Sequence, residues 1–131
     1  MFNFFKKNQD EKAVGAVENV NTLTQDEKEL LEKELRLLLE EKEKHLEDAR
    51  YFEQLGMLYA KLSKMDQSIK MLEKSLSLEI SIGEGYKQLM AYYNQKRKEA
   101  AIDKDDELIE YYMNKLDEMR NIAKKGTLTS K

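Results

Sequence analysis

The sequence predicts an all-α protein, an antiparallel stack of about five helices, and three observations lead to this fold class. The chain of 131 residues has no proline and only five glycines, so few residues interrupt a helix. Charged residues make up 37% and hydrophobic residues 40% of the chain, a balance typical of helices with one apolar stripe and one charged face. The apolar residues recur at helical spacing, and the signals of strands are too few for a sheet.

Pattern and composition divide the chain into three segments. Residues 1–23 have an aromatic and basic start followed by a polar stretch without helical period, and we expect them to be a flexible N-terminal segment. Residues 24–125 show helical periodicity and form the predicted domain. Gly126 is expected to end the last helix as its C-cap, because glycine is common just beyond a helix C terminus. Residues 126–131 are therefore predicted to be a disordered tail.

The first helix begins at a capping-box pattern, Thr24 followed three residues later by Glu27. Its predicted apolar stripe consists of leucines, namely Leu30, Leu31, Leu35, Leu38 and Leu39. Six polar residues at positions 40–45 end the stripe, and the apolar face resumes out of phase from Tyr51 onward. We therefore expect a turn near residues 46–48. A continuous helix stays open as an alternative, because this stretch contains no proline or glycine that would break it.

Two pairs of helices are predicted beyond this turn. The second and third helices cover about residues 48–62 and 65–79 and are joined by the short segment SKMD. The fourth helix is expected to begin at a second capping-box pattern, Ser81 with Glu84, and the fifth covers about residues 105–123. The polar segment NQKRKEAAIDKDD between them predicts a longer connection than that of the first pair.

The two pairs are related by an interval of 34 residues. Sliding the sequence by this interval superposes Phe52 on Tyr86, Leu55 on Leu89, and Tyr59 on Tyr93. A helix–turn–helix of this length is the unit of tetratricopeptide repeats. Residues 49–82 closely resemble that family, in its bacterial type, and residues 83–123 resemble it loosely.

The first helical pattern of that family is a bulky aromatic residue, then Leu-Gly, then Tyr. Here these places are held by Phe52, Leu55, Gly56 and Tyr59. Glycine inside a helix costs ~1 kcal/mol relative to alanine, so its presence needs a reason. The resemblance implies that Gly56 lets the second and third helices approach closely, where a side chain would separate them.

The second helical pattern of the family is a small, a large and again a small residue. Ser68, Leu72 and Ser75 hold these places. The residues that the resemblance implies for packing between the helices are Phe52, Leu55, Gly56, Tyr59, Ser68, Leu72, Tyr86, Leu89 and Tyr93.

The resemblance also implies a function. In this family the first helix of each repeat lines a concave surface that receives a peptide or a partner helix. The corresponding positions here are Arg50, Glu53, Met57, Lys61, Glu84, Lys87, Ala91 and Asn94. Repeats that grip a terminal carboxylate have Lys and Asn where this chain has Glu53 and Met57, so a mixed-charge or helical ligand is expected. We thus predict an adaptor, scaffold or regulator that binds another protein or peptide, and self-association stays open.

Composition and motifs argue against catalysis, metals, cofactors and nucleic acid. The chain has no cysteine, and its single histidine, His45, has only Glu41 and Asp48 at helical spacing, which is more typical of a solvated face than of a metal site. No glycine-rich phosphate loop occurs. A net charge of −3 does not suit phosphate binding, and acidic residues directly follow the basic run Lys96–Lys98. We therefore expect no enzyme activity, no metal, no cofactor and no nucleic-acid partner, and a small enzyme or ligand-binding bundle stays open as an alternative class.

The start of the chain, MFNFFKK, is expected to be a docking element rather than part of the core. It contains Phe2, Phe4, Phe5, Lys6 and Lys7. Aromatic residues so concentrated are expected to be covered. Two alternatives stay open: the segment docks on the helical stack or on another protein, or it touches an anionic membrane surface and the protein is a membrane-peripheral assembly factor. No apolar run is long enough for a membrane span and no signal-peptide core is present, so we expect a cytoplasmic protein, membrane-peripheral in the second alternative.

Overall fold

The computed structural model describes residues 23–129, with side chains for residues 23–125, and every regular element in this part of the chain is helical. In chain order the helices are α1 (Gln25–Glu40), a short 3-10 helix (Lys42–Lys44), α2 (Ala49–Lys61), α3 (Met65–Leu78), α4 (Glu84–Ile102) and α5 (Asp106–Thr129). For the described residues, the predicted all-α stack of five helices is confirmed.

Local sequence accounts for the start of α1 and for the turn behind it. Thr24 Oγ1 accepts a hydrogen bond from the Glu27 backbone N–H at 3.0 Å, and the Glu27 carboxylate accepts one from the Thr24 N–H at 3.0 Å. This reciprocal pair is the predicted capping box. The polar residues after α1 form the 3-10 helix, and Asp48 then caps α2 by accepting the Arg50 backbone N–H at 3.1 Å. The predicted turn between the first two helices is confirmed.

Helices α2 and α3 form a closely packed hairpin. A Cβ built on Gly56 would lie only 2.6 Å from Leu72 Cδ2, so the close approach expected at Gly56 is present. Two hydroxyls of α3 bond to carbonyls of α2: Ser68 donates to Gly56 at 2.7 Å, and Ser75 donates to Ala49 at 2.8 Å. The small residues therefore let α2 and α3 approach closely, and at this short distance the two serines can bond to the backbone of α2.

The hairpin of α4 and α5 differs from the prediction. Residues 94–106, which the sequence predicts to be a long connection, are mostly helical, and only residues 103–105 join α4 to α5. This connection has the same length as residues 62–64 of the first hairpin and repeats its backbone hydrogen bonds, except that the Leu62 N–H also donates to the Tyr59 carbonyl. The central residue has a positive φ in both, 61° at Ser63 and 59° at Lys104. The second hairpin is therefore longer in its helices, not in its turn.

The size of the insertion explains why the helix continues. Ser63 and Lys104 are 41 residues apart, seven more than the 34-residue interval of the preceding helices. Seven residues are close to two helical turns, so they lengthen the hairpin while its faces keep almost the same orientation. In the added turns Ala100 is 3% exposed, and Lys96 Nζ lies 3.1 Å from Asp66 Oδ1 of α3. The polar residues of this segment form the solvated side of a helix.

The end of α5 also corrects a prediction. The helix runs through Gly126 to Thr129, so Gly126 is not its C-cap, and the tail boundary predicted there does not coincide with the helix end. A left-handed C-cap needs a positive φ, and none of the described glycines has one. Glycine disfavours a helix by ~1 kcal/mol relative to alanine, which is not enough by itself to end one.

The helices stack in sequence, with α1 on α2, α4 on both helices of the first hairpin, and α5 on α4. One buried cluster lies at α1 and α2 and contains Leu35, Tyr51, Phe52, Leu55 and Leu58. The other spans α3, α4 and α5 and contains Leu72, Tyr86, Leu89, Tyr92, Tyr93, Leu116 and Met119. Buried tyrosine hydroxyls link neighbouring helices, since Tyr51 donates to the Leu38 carbonyl and Tyr86 donates to the Met119 carbonyl, each at 2.6 Å.

Only part of the predicted leucine stripe of α1 is buried. Leu35 is buried, and Leu31 and Leu38 are half-buried against α2. Leu30 and Leu39, by contrast, are 66% and 39% exposed. Because α1 packs only against α2 and the short 3-10 helix, it covers a single narrow face.

Candidate peptide-binding groove

A groove with α2 as its floor lies between α1 and the start of α4. Its concavity has a volume of about 670 Å³. The residues that line it are Glu34, Arg50, Glu53, Gln54, Met57, Leu58, Lys61, Ser81, Gly83 and Glu84. Helices α1 and α4 do not pack against each other, so the α2 surface between them stays accessible.

The groove brings together five of the eight residues predicted to line it. These are Arg50, Glu53, Met57, Lys61 and Glu84. Lys87, Ala91 and Asn94 lie further along α4 and do not line this concavity. Lys87 and Ala91 are exposed, whereas Asn94 Nδ2 donates to the Met90 carbonyl at 3.3 Å. On the α4 side the groove therefore ends at the first turn of the helix.

The lining combines an apolar centre with charges of both signs. Arg50 and Lys61 are 11 residues apart on α2, about 16 Å along the helix axis. Half-buried Met57 lies between them on the same face. Glu34 of α1 and Glu84 of α4 add carboxylates at the two walls. This arrangement suits a peptide or helix that offers one apolar side chain together with charges of both signs.

One predicted groove residue, Glu53, also holds the start of α4. Its Oε2 accepts a hydrogen bond from the Gly85 backbone N–H at 2.8 Å. Gly83, the N-cap of α4, makes no side-chain cap hydrogen bond, and the capping box predicted from Ser81 and Glu84 is not formed. The Glu53 carboxylate of α2 therefore caps α4 from a neighbouring helix, and its charge lies at the positive end of the helix dipole.

Gly85 is the residue of this region that the sequence interpretation missed. A Cβ at this position would lie 2.7 Å from Glu53 Oε2 and 2.8 Å from Glu53 Cγ, so a side chain would displace the capping carboxylate. Its only signal in the sequence is the second glycine of IGEGYK, next to a predicted helix start. Glu53, the residue whose carboxylate requires a glycine here, is 32 residues away in sequence.

The residues predicted to pack the repeats support the groove from below. Eight of them are buried, namely Phe52, Leu55, Gly56, Ser68, Leu72, Tyr86, Leu89 and Tyr93. Tyr59 is half-buried against the buried cluster at α1 and α2. Of this set, Phe52, Leu55 and Gly56 lie on α2 itself, and their burial packs this helix against its neighbours.

A smaller cleft of about 240 Å³ lies over α4, between α3 and α5. Its lining residues are Glu73, Leu76, Ser77, Leu89, Tyr93, Lys115, Glu118, Met119 and Ile122. Tyr93 Oη donates to Glu73 Oε2 at 2.5 Å, and burial, followed by this hydrogen bond, raises the pKa of the Tyr93 hydroxyl. The cleft is smaller than the ~300–1,000 Å³ of typical small-molecule pockets.

His45 contacts the turn and the core around the start of α2. Its ring stacks on Tyr51 with a centroid distance of 4.8 Å, and its Nδ1 lies 3.3 Å from Asp48 Oδ2. Its Nε2 lies 3.7 Å from Glu41 Oε1. Within residues 23–125, no group of three or more His, Cys, Asp or Glu side chains is arranged to hold a metal ion.

The predicted N-terminal docking residues, Phe2, Phe4, Phe5, Lys6 and Lys7, lie outside the described residues. In the part of the chain that is described, no helix is both long enough and apolar enough to cross a membrane.

Comparisons with known proteins identify no relative. No family model matches the sequence, no curated protein is significantly similar to it, and no solved structure is significantly similar to the fold.

Proposed function

We propose that the chain is a non-enzymatic protein-interaction module of the tetratricopeptide-repeat type, an adaptor, scaffold or regulator that acts in the cytoplasm. Its ligand, a peptide or a helix of a partner protein, lies in the groove over α2. The observation that carries the proposal is the concavity of about 670 Å³ in which five independently predicted residues meet.

The relation between the two hairpins supports the repeat assignment. Both turns have three residues and a central residue with positive φ, and the N–H groups of their second and third residues donate to corresponding carbonyls. The first hairpin also has its glycine in contact with a leucine of the opposite helix, at Gly56 and Leu72. A repeat of this kind places its first helices side by side, which leaves the α2 floor open to a ligand.

The groove chemistry supports a ligand that is amphipathic and of mixed charge. Arg50 and Lys61 attract acidic groups at the two ends of the floor, and Glu34 and Glu84 attract basic groups at its walls. Met57 offers an adaptable apolar contact in the middle. These side chains are long and solvent-facing, which favours recognition of a surface over chemical conversion of a small substrate.

A photo-crosslinking experiment tests this proposal. A photoreactive phenylalanine analogue replaces Met57 in the full chain, and the same analogue replaces Met113 of α5, which is 52% exposed and outside the groove, in a control. Both proteins are irradiated in an extract of the source organism, and crosslinked peptides are identified by mass spectrometry. We expect one protein segment to crosslink at position 57 and not at position 113.

Charge reversal in the groove provides the second half of the test. Arg50→Glu with Lys61→Glu should reduce the crosslink at position 57 at least tenfold. Lys70→Glu with Lys98→Glu, at two exposed positions outside the groove, should leave it unchanged. Equal crosslinking at positions 57 and 113, or equal effects of the two charge reversals, would contradict a binding site in the groove.

A further inference from the structure

The outer side of α1 carries two exposed leucines that nothing in the described structure covers. Leu30 is 66% exposed and Leu37 is 54% exposed. They are seven residues apart, close to two helical turns, so they lie on one face and form a stripe along the helix. We call these two residues the outer stripe. Helix α1 packs against α2 through its other side, at Leu31, Leu35 and Leu38.

The outer stripe is bordered almost entirely by acidic residues. The positions three or four residues from either leucine are its helical neighbours. They hold Asp26, Glu27, Lys33, Glu34, Glu40 and Glu41. Five of these six neighbours are acidic, so the stripe offers an apolar surface between carboxylates. A peptide segment that is complementary to this surface has large apolar side chains followed closely by positive charges.

A second copy of this chain does not fit that description. Helix α1 contains six acidic and three basic residues, so two copies paired through the stripe would bring like net charges together. A two-stranded coiled coil also needs apolar residues at two positions of each heptad. The outer stripe supplies one position per heptad, and the neighbouring positions are charged.

The chain itself contains a segment with the fitting chemistry. Residues 1–9, MFNFFKKNQ, carry three phenylalanines and two lysines and no acidic residue. They lie outside the described residues and come before α1 in sequence, with residues 10–24 between. We propose that Phe2, Phe4 and Phe5 pack on the outer stripe, with Lys6 and Lys7 beside its flanking carboxylates.

The length of the intervening chain permits this contact. Fifteen residues, 8–22, separate Lys7 from Leu23, and an extended chain of that length spans about 50 Å. Leu37 lies 14 residues beyond Leu23, about 21 Å away at the helical rise. The segment can therefore turn back along α1 without full extension. Glu34, which borders the stripe, also lines the peptide groove, so the docked segment lies at the edge of that groove.

A single fluorophore tests the contact, because the chain contains no tryptophan. Phe4→Trp in the full chain provides one emission that shifts to shorter wavelength when the indole leaves water. We expect a blue-shifted emission in dilute protein, and a return to the emission of solvent-exposed tryptophan when Leu30→Ser and Leu37→Ser are added. Leu108→Ser with Met113→Ser, at positions of α5 that are 44% and 52% exposed, is the matched control and should leave the emission unchanged.

Each competing occupant gives its own result. Emission of an exposed indole in dilute protein, or a blue shift that survives Leu30→Ser with Leu37→Ser, overturns the proposal. A blue shift that appears only with anionic phospholipid vesicles assigns the segment to a membrane, and one that appears only at high protein concentration assigns it to a second copy. Adding Lys6→Glu and Lys7→Glu to Phe4→Trp should weaken the blue shift, and salt should weaken it in Phe4→Trp itself, because the flanking carboxylates attract the lysines.

Discussion

Glu53 on α2 caps α4 by accepting the backbone N–H of Gly85 at 2.8 Å. This contact is one of the polar contacts that join the two hairpins, together with those between Lys96 and Asp66 and between Tyr93 and Glu73. It uses a residue of the proposed groove and requires a glycine, because a Cβ at position 85 would meet the carboxylate. The same side chain therefore contributes to stability and lines the candidate groove.

Removing the Glu53 carboxylate should destabilise the fold. Glu53→Ala leaves the first turn of α4 without its cap, and loss of a helix cap costs about 0.5–2 kcal/mol. Glu53→Gln keeps an acceptor and should lose less. The free energy of unfolding, measured with urea, gives the comparison, and Gln54→Ala at the exposed neighbouring position is the control.

Glu53→Ala and Gly85→Ala should not be additive. Each substitution alone disturbs the same contact, one by removing the cap and the other by displacing it. In the double variant the added methyl group has no carboxylate to meet, so the summed loss should exceed the measured loss by about 0.5 kcal/mol or more. Strict additivity in the urea experiment would show that the contact is not formed in solution.

Enlarging Gly56 should overpack the first hairpin. A Cβ there would lie 2.6 Å from Leu72 Cδ2 and 2.7 Å from Leu72 Cγ, and Leu72 is 1% exposed and has little room to move. Gly56→Leu should cost ~1–3 kcal/mol. Gly56→Ala should cost less, because better helix propensity offsets part of the clash. Thermal unfolding of both variants measures the loss, and a Gly56→Leu variant as stable as the parent would contradict the packing.

The buried hydroxyl of Ser68 should contribute more to the free energy of unfolding than an exposed serine hydroxyl does. Ser68 is fully buried and donates to the Gly56 carbonyl at 2.7 Å. Ser68→Ala should lower the free energy of unfolding by about 1 kcal/mol. Ser77→Ala is the matched control, because Ser77 is exposed on the same helix and donates locally to the Lys74 carbonyl. A similar loss in both variants would mean that burial adds nothing to this hydrogen bond.

Tyr93 should make the fold sensitive to alkaline pH. Burial, followed by the hydrogen bond to Glu73, raises the pKa of the Tyr93 hydroxyl above its ordinary value of about 10 in the folded state. The folded state therefore keeps its proton at a pH where the unfolded state has lost it. This contribution to stability is complete below pH ~10 and is lost progressively as the pH rises above that value.

Substitution isolates the contribution of this hydroxyl. Urea unfolding at about pH 8 and about pH 11 brackets the ordinary tyrosine pKa. Tyr93→Phe should reduce the loss of stability between these two pH values. Tyr111→Phe, at an exposed position of α5, should leave the loss as it is in the parent. An unchanged loss in Tyr93→Phe would assign the alkaline sensitivity to other groups, such as buried Tyr86.

The sequence by itself determined the features that depend on near neighbours. Five helices, the capping box of Thr24 and Glu27, and the turn before α2 follow from residues within one or two helical turns of each other. The close approach at Gly56 could also be predicted, because its pattern repeats the aromatic and leucine spacing of a known helical hairpin. In these places local preference and the final packing agree.

Only the tertiary structure decided the features that depend on distant partners. The polar stretch after Asn94 is helical, with Ala100 buried and Lys96 paired with Asp66 of α3. The polar composition of this stretch does not predict these contacts. Leu30 and Leu37 lie outside the core because α1 packs against a single α-helix. Glu53 caps α4 across 32 residues of chain, where the sequence indicated a local box at Ser81. In each case a residue's environment is set by which helices meet, and periodicity within one helix does not contain that information.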